Sequence, residues 1–283
     1  MILTVDLGNY NINTCEDVMF PATFTVGAPE NPIGEEIITI DGIDYCMAKE
    51  CAFDYEFNKN KKNYKPNLFY AIHKSTDETE IDLVLGIPVE NFGVAGNFKE
   101  DLEGKEFEFK INGQDKKIKI NRVAVVGEGI SSYYMLKKEQ RENRSVMIVD
   151  IGGRTINLAT FKNGRLEYKK QINKGMIDLY DVIKSRHNSM NGDNLETEQI
   201  DYLIQQGHVK VDKEDEFNFA ESIFNAIKPV ANRDYYDIYF TGGGAIRLED
   251  TLKEIEPRGI VMEDALFTNC KGNKKIAQAQ WGK

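Results

Sequence analysis

Twice in this chain an apolar β-forming run ends in an aspartate followed, two residues on, by glycine. Residues 1–8 read MILTVDLG and residues 146–153 read VMIVDIGG. Runs of this length and composition are buried strands, and the glycine lets the backbone turn sharply at the strand end. The turns continue as Asp6-Leu7-Gly8-Asn9-Tyr10-Asn11 and as Asp150-Ile151-Gly152-Gly153-Arg154-Thr155-Ile156-Asn157. A third, Thr241-Gly242-Gly243-Gly244-Ala245, follows the strand pattern YDIYF at 236–240. Glycine turns of this kind bring several N–H groups onto one anion, so all three are candidate phosphate or nucleoside cradles. A carboxylate beside such a cradle repels phosphate unless a divalent cation lies between them. That reasoning places Mg2+ at Asp6 and Asp150, held largely through water. Any one of these turns alone is also an ordinary tight turn; their recurrence carries the argument.

The pattern between the turns alternates strands and helices, an α/β arrangement. Asp41-Gly42, Asn112-Gly113 and Asn163-Gly164 each separate two β-rich runs, a strong hairpin signal because the turn needs positive φ. Residues 81–88 predict a buried strand stopped by Pro88. Residues 58–67 predict a loop, with Lys59, Lys61, Lys62 and Lys65 solvated, before a helix at 68–73. An amphipathic helix is expected over 128–142, after a strand at 122–126. The second half predicts helices at 176–186, 197–206, 216–227 and 246–255, a loop at 187–194 and a short strand at 208–211. The polar break RENRS suggests two domains, 1–144 with an insertion at about 27–80, and 145–283 with a small insertion at about 188–214.

Composition narrows the function. Hydrophobic residues at 41% and charged residues at 29% exclude a disordered chain. Lys and Arg number 36 against 46 Asp and Glu, a net charge of −10, which argues against direct nucleic-acid binding. No apolar run approaches a membrane-spanning length, and the first residues carry no secretory signal pattern. Cys15, Cys46, Cys51 and Cys270 lack C-x-x-C spacing and read as free thiols in a cytoplasmic protein. His73, His187 and His208 are scattered and do not resemble metal ligands.

Glu128 stands between Gly127 and Gly129, where a carboxylate can orient a water and accept its proton. The motif order DLGNYN, LVLGIPVENF, GEG, DIGGRTIN, INKGMID and TGGGA resembles the actin and sugar-kinase superfamily, and within it the bacterial plasmid-segregation actins of the ParM and AlfA type. Neither a P-loop nor a GxGxxG turn is present. The resemblance implies two ribonuclease-H-like domains facing a nucleotide cleft, here with a reduced fourth subdomain. It implies that Asp6 and Asp150 position Mg2+ and phosphates, and that Glu128 begins a connecting helix and orients the attacking water. Gly8, Asn9, Tyr10, Asn11, Gly152, Gly153, Arg154, Thr155 and Asn157 would bind phosphate. Gly175, Gly242, Gly243, Gly244 and Ala245 would bind the adenosine.

A second connector is expected at 265–277, with Asn269 and Gly272. Asn157 stands where ParM-like members usually carry aspartate, and Arg154 where they carry a small residue. The function so implied is hydrolysis of ATP (or GTP) with Mg2+, coupled to polymerisation into a filament. A DNA-binding adaptor protein would connect that filament to plasmid DNA. The alternatives are a small-molecule phosphotransferase or phosphatase of the same fold, and a low-turnover nucleotide-binding scaffold. The length of 283 residues leaves little room for an acceptor-binding domain.

Overall fold

A computed structural model of the chain describes residues 1–48, 63–87 and 95–282. The expectations for Cys51, for Lys59, Lys61 and Lys62, and for Pro88 to Phe92 fall outside the described residues. Two compact units emerge: Met1–Met135 with Asn269–Lys283, and Leu136–Thr268.

Unit 1 is built on β1 (Ile2–Leu7), β2 (Asn11–Thr14), β3 (Met19–Pro21), β4 (Phe24–Val26), β5 (Ile37–Ile40), β6 (Ile43–Met47), β7 (Glu80–Ile87), β8 (Lys105–Ile111) and β9 (Gln114–Gly127). They form one sheet in the order β3-β2-β1-β7-β9-β8-β5-β6-β4. β1 runs antiparallel to β2, and β2 to β3, whereas β1, β7 and β9 are mutually parallel. Parallel strands are covered on both faces, which explains the continuous burial of LTV in β1 and of IDLVLGI in β7. Helix α1 (Lys65–Ser75) packs Leu68, Phe69 and Ile72 into this core, with Pro66 in its first turn, where a missing N–H costs nothing. Helix α2 (Ala95–Leu102) adds Phe98 and Leu102.

Unit 2 repeats the scheme. β10 (Ser145–Ile151), β11 (Ile156–Lys162), β12 (Arg165–Ile172), β13 (Asp237–Thr241) and β14 (Ile260–Val261) pair in the order β12-β11-β10-β13-β14. The first two pairings are antiparallel and the last two parallel. The five-stranded order of unit 2 is therefore that of β3-β2-β1-β7-β9 in unit 1. Between β12 and β13 come α4 (Met176–Asn191), α5 (Thr197–Gln205) and α6 (Lys213–Ile227). After β13 come α7 (Gly243–Arg247) and α8 (Glu249–Ile255). The last helix, α9 (Thr268–Trp281), groups with unit 1 from Asn269 onward.

All three hairpins form, and Asp41, Asn112 and Asn163 each take positive φ followed by a positive-φ glycine. Four local expectations fail. Residues 128–142 are not one helix: a 3-10 turn at Ser131–Met135 and the four-residue α3 (Lys138–Arg141) replace it. Gly129 is left-handed at φ 75, which breaks helical geometry before it can propagate. Helix α4 runs on through the expected loop to Asn191 and stops where Gly192 takes φ 71. Residues 208–211 form no strand. Ile246 to Ile255 is two helices, α7 and α8, meeting at Leu248. Trp281 covers its own unit, stacking on the Arg122 guanidinium at 4.5 Å.

Candidate functional site

In unit 1 the register places the candidate residues in one row. Asp6 lies opposite Asn13 on β2 and opposite Gly86 on β7, and Gly86 lies opposite Val126 on β9. Glu128 follows two residues beyond Val126, with its amide donating to Ile87 O at 2.9 Å. Asp6 and Glu128 thus both stand at the carboxyl ends of parallel strands, where open α/β sheets bind ligands. Gly8 turns the chain so tightly that a Cβ there would lie 2.2 Å from Asn11 O. Asn9 and Tyr10 form the bend, and Asn11 opens β2, with Tyr10 O accepting from Ala22 N at 2.9 Å. Cys270 lies nearby: burial pushes its thiol well up, and the Asp6 carboxylate pushes it the same way.

Unit 2 reproduces the row. Asp150, 5% exposed, lies opposite Asn157 on β11 and opposite Thr241 on β13. Gly152 N donates to Thr155 O at 3.0 Å, closing the turn. Gly175 sits against that turn; a Cβ on it would come within 2.6 Å of Gly153 O and Arg154 N. Met176 N and Ile177 N, the first amides of α4, donate to Gly152 O and Gly153 O. Gly242, at φ 86, leaves room for the Asp150 carboxylate, since a Cβ there would lie 2.6 Å from Asp150 Oδ1. Gly243 and Gly244 begin α7, with Gly244 against Ile151 and Ala245 fully buried. The unit therefore brings Asp150, Gly152, Gly153, Arg154, Thr155, Asn157, Gly175 and the glycine triplet into one neighbourhood.

Arg154 gives unit 2 a feature that unit 1 lacks. Burial alone would raise the Asp181 carboxyl on α4. Hydrogen bonds from Thr197 and Lys184, with the charges of Lys184 and Arg154, outweigh burial and hold it below the usual range. Lys184 Nζ bonds Asp181 Oδ1 and Thr197 Oγ1, each at 2.9 Å. Lys184 thereby joins Asp181 of α4 to Thr197 of α5.

Asn13 lies outside the expected phosphate-binding set, yet it faces Asp6. The signal was available: Asn13 follows Asp6, and Asn157 follows Asp150, by the same seven residues, in DLGNYNIN and DIGGRTIN. Asn273 lies outside that set as well; its side-chain nitrogen and Asp6 Oδ1 both lie 3.6 Å from the Cβ position of Gly86. No local signal marks it. Among the described residues no group of three or more His, Cys, Asp or Glu forms a metal cage. In each unit, taken by itself, the strand-end carboxylate beside a glycine turn suits Mg2+ that arrives with phosphate oxygens and keeps its waters. An open cavity of about 510 Å3, lined by Pro32, Gly34, Glu36, Ile37 and Asn112 among others, contains none of these residues.

Comparisons with known proteins match the fold. Residues 4–130 match the family model for the actin like proteins N terminal domain, and residues 148–254 that for the archaeal actin homologue MreB-like, C-terminal. No curated protein sequence matches the chain. Among solved structures, the archaeal actin homologue Ta0583 aligns at 17% identity over 99% of both chains, with a TM-score of 0.86. A ParM filament from Clostridium botulinum aligns at 16% identity over 98% and 99% of the two chains, with a TM-score of 0.78. The AlfA filament from the B. subtilis plasmid pLS32 aligns at 19% identity over 96% and 97%, with a TM-score of 0.67. By both family models and by fold, the chain belongs to the actin-like proteins.

Proposed function

We propose that this chain binds and hydrolyses ATP with Mg2+ and polymerises head to tail into a filament, which moves plasmid DNA through a DNA-binding adaptor. The observation that carries the reading is the repeated row: a strand-end aspartate facing an asparagine beside a glycine turn, once in each unit, with Glu128 added in unit 1. One solved form of Ta0583 is a complex with ADP, and one AlfA filament is bound to AMPPNP. Those ligands belong to those proteins, and they favour a nucleotide here.

The bound Mg2+ would neutralise phosphate charge. Asp6 in unit 1 and Asp150 in unit 2 would each offer a carboxylate to Mg2+ through water, and the amides of the Gly8 and Gly152 turns would bind phosphate oxygens. Glu128 would orient a water and accept its proton. Head-to-tail contacts between unlike surfaces whose rotation does not close into a ring would extend as a filament. The net charge of −10 suits a chain that reaches DNA through a basic adaptor rather than by its own surface.

The test is sedimentation and light scattering with ATP and Mg2+, with phosphate release followed in parallel and electron microscopy of the pellet. ATP-dependent filaments with phosphate release are expected. Absence of polymer with any nucleotide, alongside phosphate transfer to a small acceptor, would sink the filament reading. Glu128→Ala should polymerise with ATP but turn it over about 100-fold more slowly.

A further inference from the structure

The loop that carries Glu128 makes little secondary structure of its own. Its amide is fixed on Ile87 O, and beyond it Gly129 turns the chain into the 3-10 segment. The amides and hydroxyls at such a helix start need acceptors from elsewhere. They find one far along the chain. The side-chain oxygen of Asn269, on the first turn of α9, accepts from Gly129 N at 3.0 Å, from Ser131 Oγ at 3.2 Å and from Ser132 Oγ at 2.8 Å. Asn269, Ser131 and Ser132 are all buried. Gly272 brings the helix backbone against the same loop, since a Cβ there would lie 2.1 Å from Ser131 O. Asn273, one turn after Asn269 on α9, is 1% exposed, and its side-chain oxygen has no partner.

The helix is itself pinned to β1 and the β2 region. Thr4 Oγ1 donates to Cys270 O at 2.7 Å, Cys270 Sγ to Asn13 O at 3.2 Å, and Lys274 pairs with Glu16 at 2.6 Å. α9 therefore has a fixed seat from which Asn269 reaches the glutamate loop and Asn273 reaches the space over Gly86 beside Asp6.

We infer that Asn269 is a positioning residue for Glu128: its side-chain oxygen gathers three donors of the glutamate loop and so sets where the carboxylate points. The inference rests on reading Glu128 as the group that orients the attacking water. Removing the Asn269 oxygen leaves one amide and two hydroxyls without their acceptor in a buried place. The hydroxyls can rotate and the loop can shift, so the first thing lost is the orientation of Glu128. A displacement of about 1 Å in a positioning group can lower a rate by about 100-fold.

The experiment measures steady-state ATP hydrolysis with Mg2+, and equilibrium binding of a non-hydrolysable ATP analogue. The proteins are the unaltered chain, Glu128→Ala, Asn269→Ala, Asn269→Asp and the pair Glu128→Ala/Asn269→Ala. Asn269→Ala should lower kcat by about 100-fold and change analogue affinity by less than about threefold. Asn269→Asp, which keeps an oxygen acceptor, should recover at least about tenfold of that loss. Once Glu128 is alanine, adding Asn269→Ala should change kcat by less than about twofold, because the two residues act as one unit.

Normal kcat in Asn269→Ala, with slow turnover in Glu128→Ala, would overturn the inference and leave the proposed function standing. Normal turnover in Glu128→Ala, or no ATP hydrolysis by the unaltered chain, would instead remove the reading on which it rests. If Asn269→Ala does not fold, Ser131→Ala/Ser132→Ala keeps Asn269 and the seat of α9 while removing two of the three donors. That variant should lose about tenfold in kcat, and an unchanged kcat would overturn the inference.

Discussion

Asp6 and Asp150 occupy the same place in the same strand order, yet what closes around each differs. Beside Asp6 stand Gly86 on one side, Asn13 on the other and Asn273 from the C-terminal helix. Around Asp150, Gly242 leaves room for the carboxylate, and the charge of Arg154 acts on Asp181 of α4. Unit 1 also adds four strands beyond its shared five, while unit 2 ends at β14 and spends its extra residues on helices. One scaffold thus carries two different devices. Unit 1 presents a loop positioned from a distant helix, and unit 2 presents a turn locked by its own neighbours.

The sharpest way to break the pairing of the two units is at their glycines. Gly175→Ala pushes a methyl into three backbone atoms of the Gly153–Arg154 turn, and about 3 kcal/mol or more of stability should be lost in denaturant unfolding. Gly8 and Gly152 are equivalent, but their Cβ positions lie 2.2 Å and 3.0 Å from the carbonyl three residues on. Gly8→Ala should therefore cost about 3 kcal/mol and Gly152→Ala about 1 kcal/mol in the same assay. Equal costs would mean that the two turns are alike after all.

The carboxylates come next. Asp6→Asn and Asp150→Asn should each reduce Mg2+-dependent ATP turnover by about 100-fold, measured by phosphate release across a Mg2+ titration. If one aspartate is silent, only the other serves the metal. Arg154 has no counterpart in unit 1, and Arg154→Ala should weaken ATP by about tenfold while affecting ADP less, as calorimetry would show. Equal effects on the two nucleotides would restrict Arg154 to its electrostatic effect on Asp181.

The smallest expected effect is on pH. Asp181 in unit 2, like Asp101 in unit 1, is held below the ordinary carboxylate range. Such a group contributes its stability in full above its unfolded value and loses it as pH falls through the lower, folded value. Asp181 is about half exposed, so solvent screening keeps the contribution small. Thermal melts below about pH 4 should show Asp181→Asn converging with the unaltered chain. A constant gap down to the lowest pH would assign the difference to packing instead.

Much of the scaffold was legible in the residues. Asn-Gly and Asp-Gly turns fixed three hairpins because their positive φ is a local demand. Strand ends were legible because apolar β-forming runs stop at glycines, and with them the positions of Asp6, Asp150 and the glycine triplet. The glutamate loop was not. Its apolar spacing reads as helix, but Gly129 and the Asn269 side chain act against propagation, and Asn269 lies too far along the chain for any local pattern to reveal. The α4 overrun failed differently: HNSMN has the composition of a loop, yet neighbours packed on the earlier turns carry the helix on to Gly192. Asn188 supports that end through two bonds to Leu195, which no periodicity shows.

Trp281 is the only tryptophan in the chain, and it lies stacked on the Arg122 guanidinium, whose other partner is the buried Asp82. The helix carrying it is the one that brings Asn269 to the glutamate loop. The single tryptophan thus lies on the helix that reaches the glutamate loop, with a cation against its ring. Its emission is an intrinsic, label-free gauge of whether α9 is seated, readable in the same cuvette as turnover and assembly.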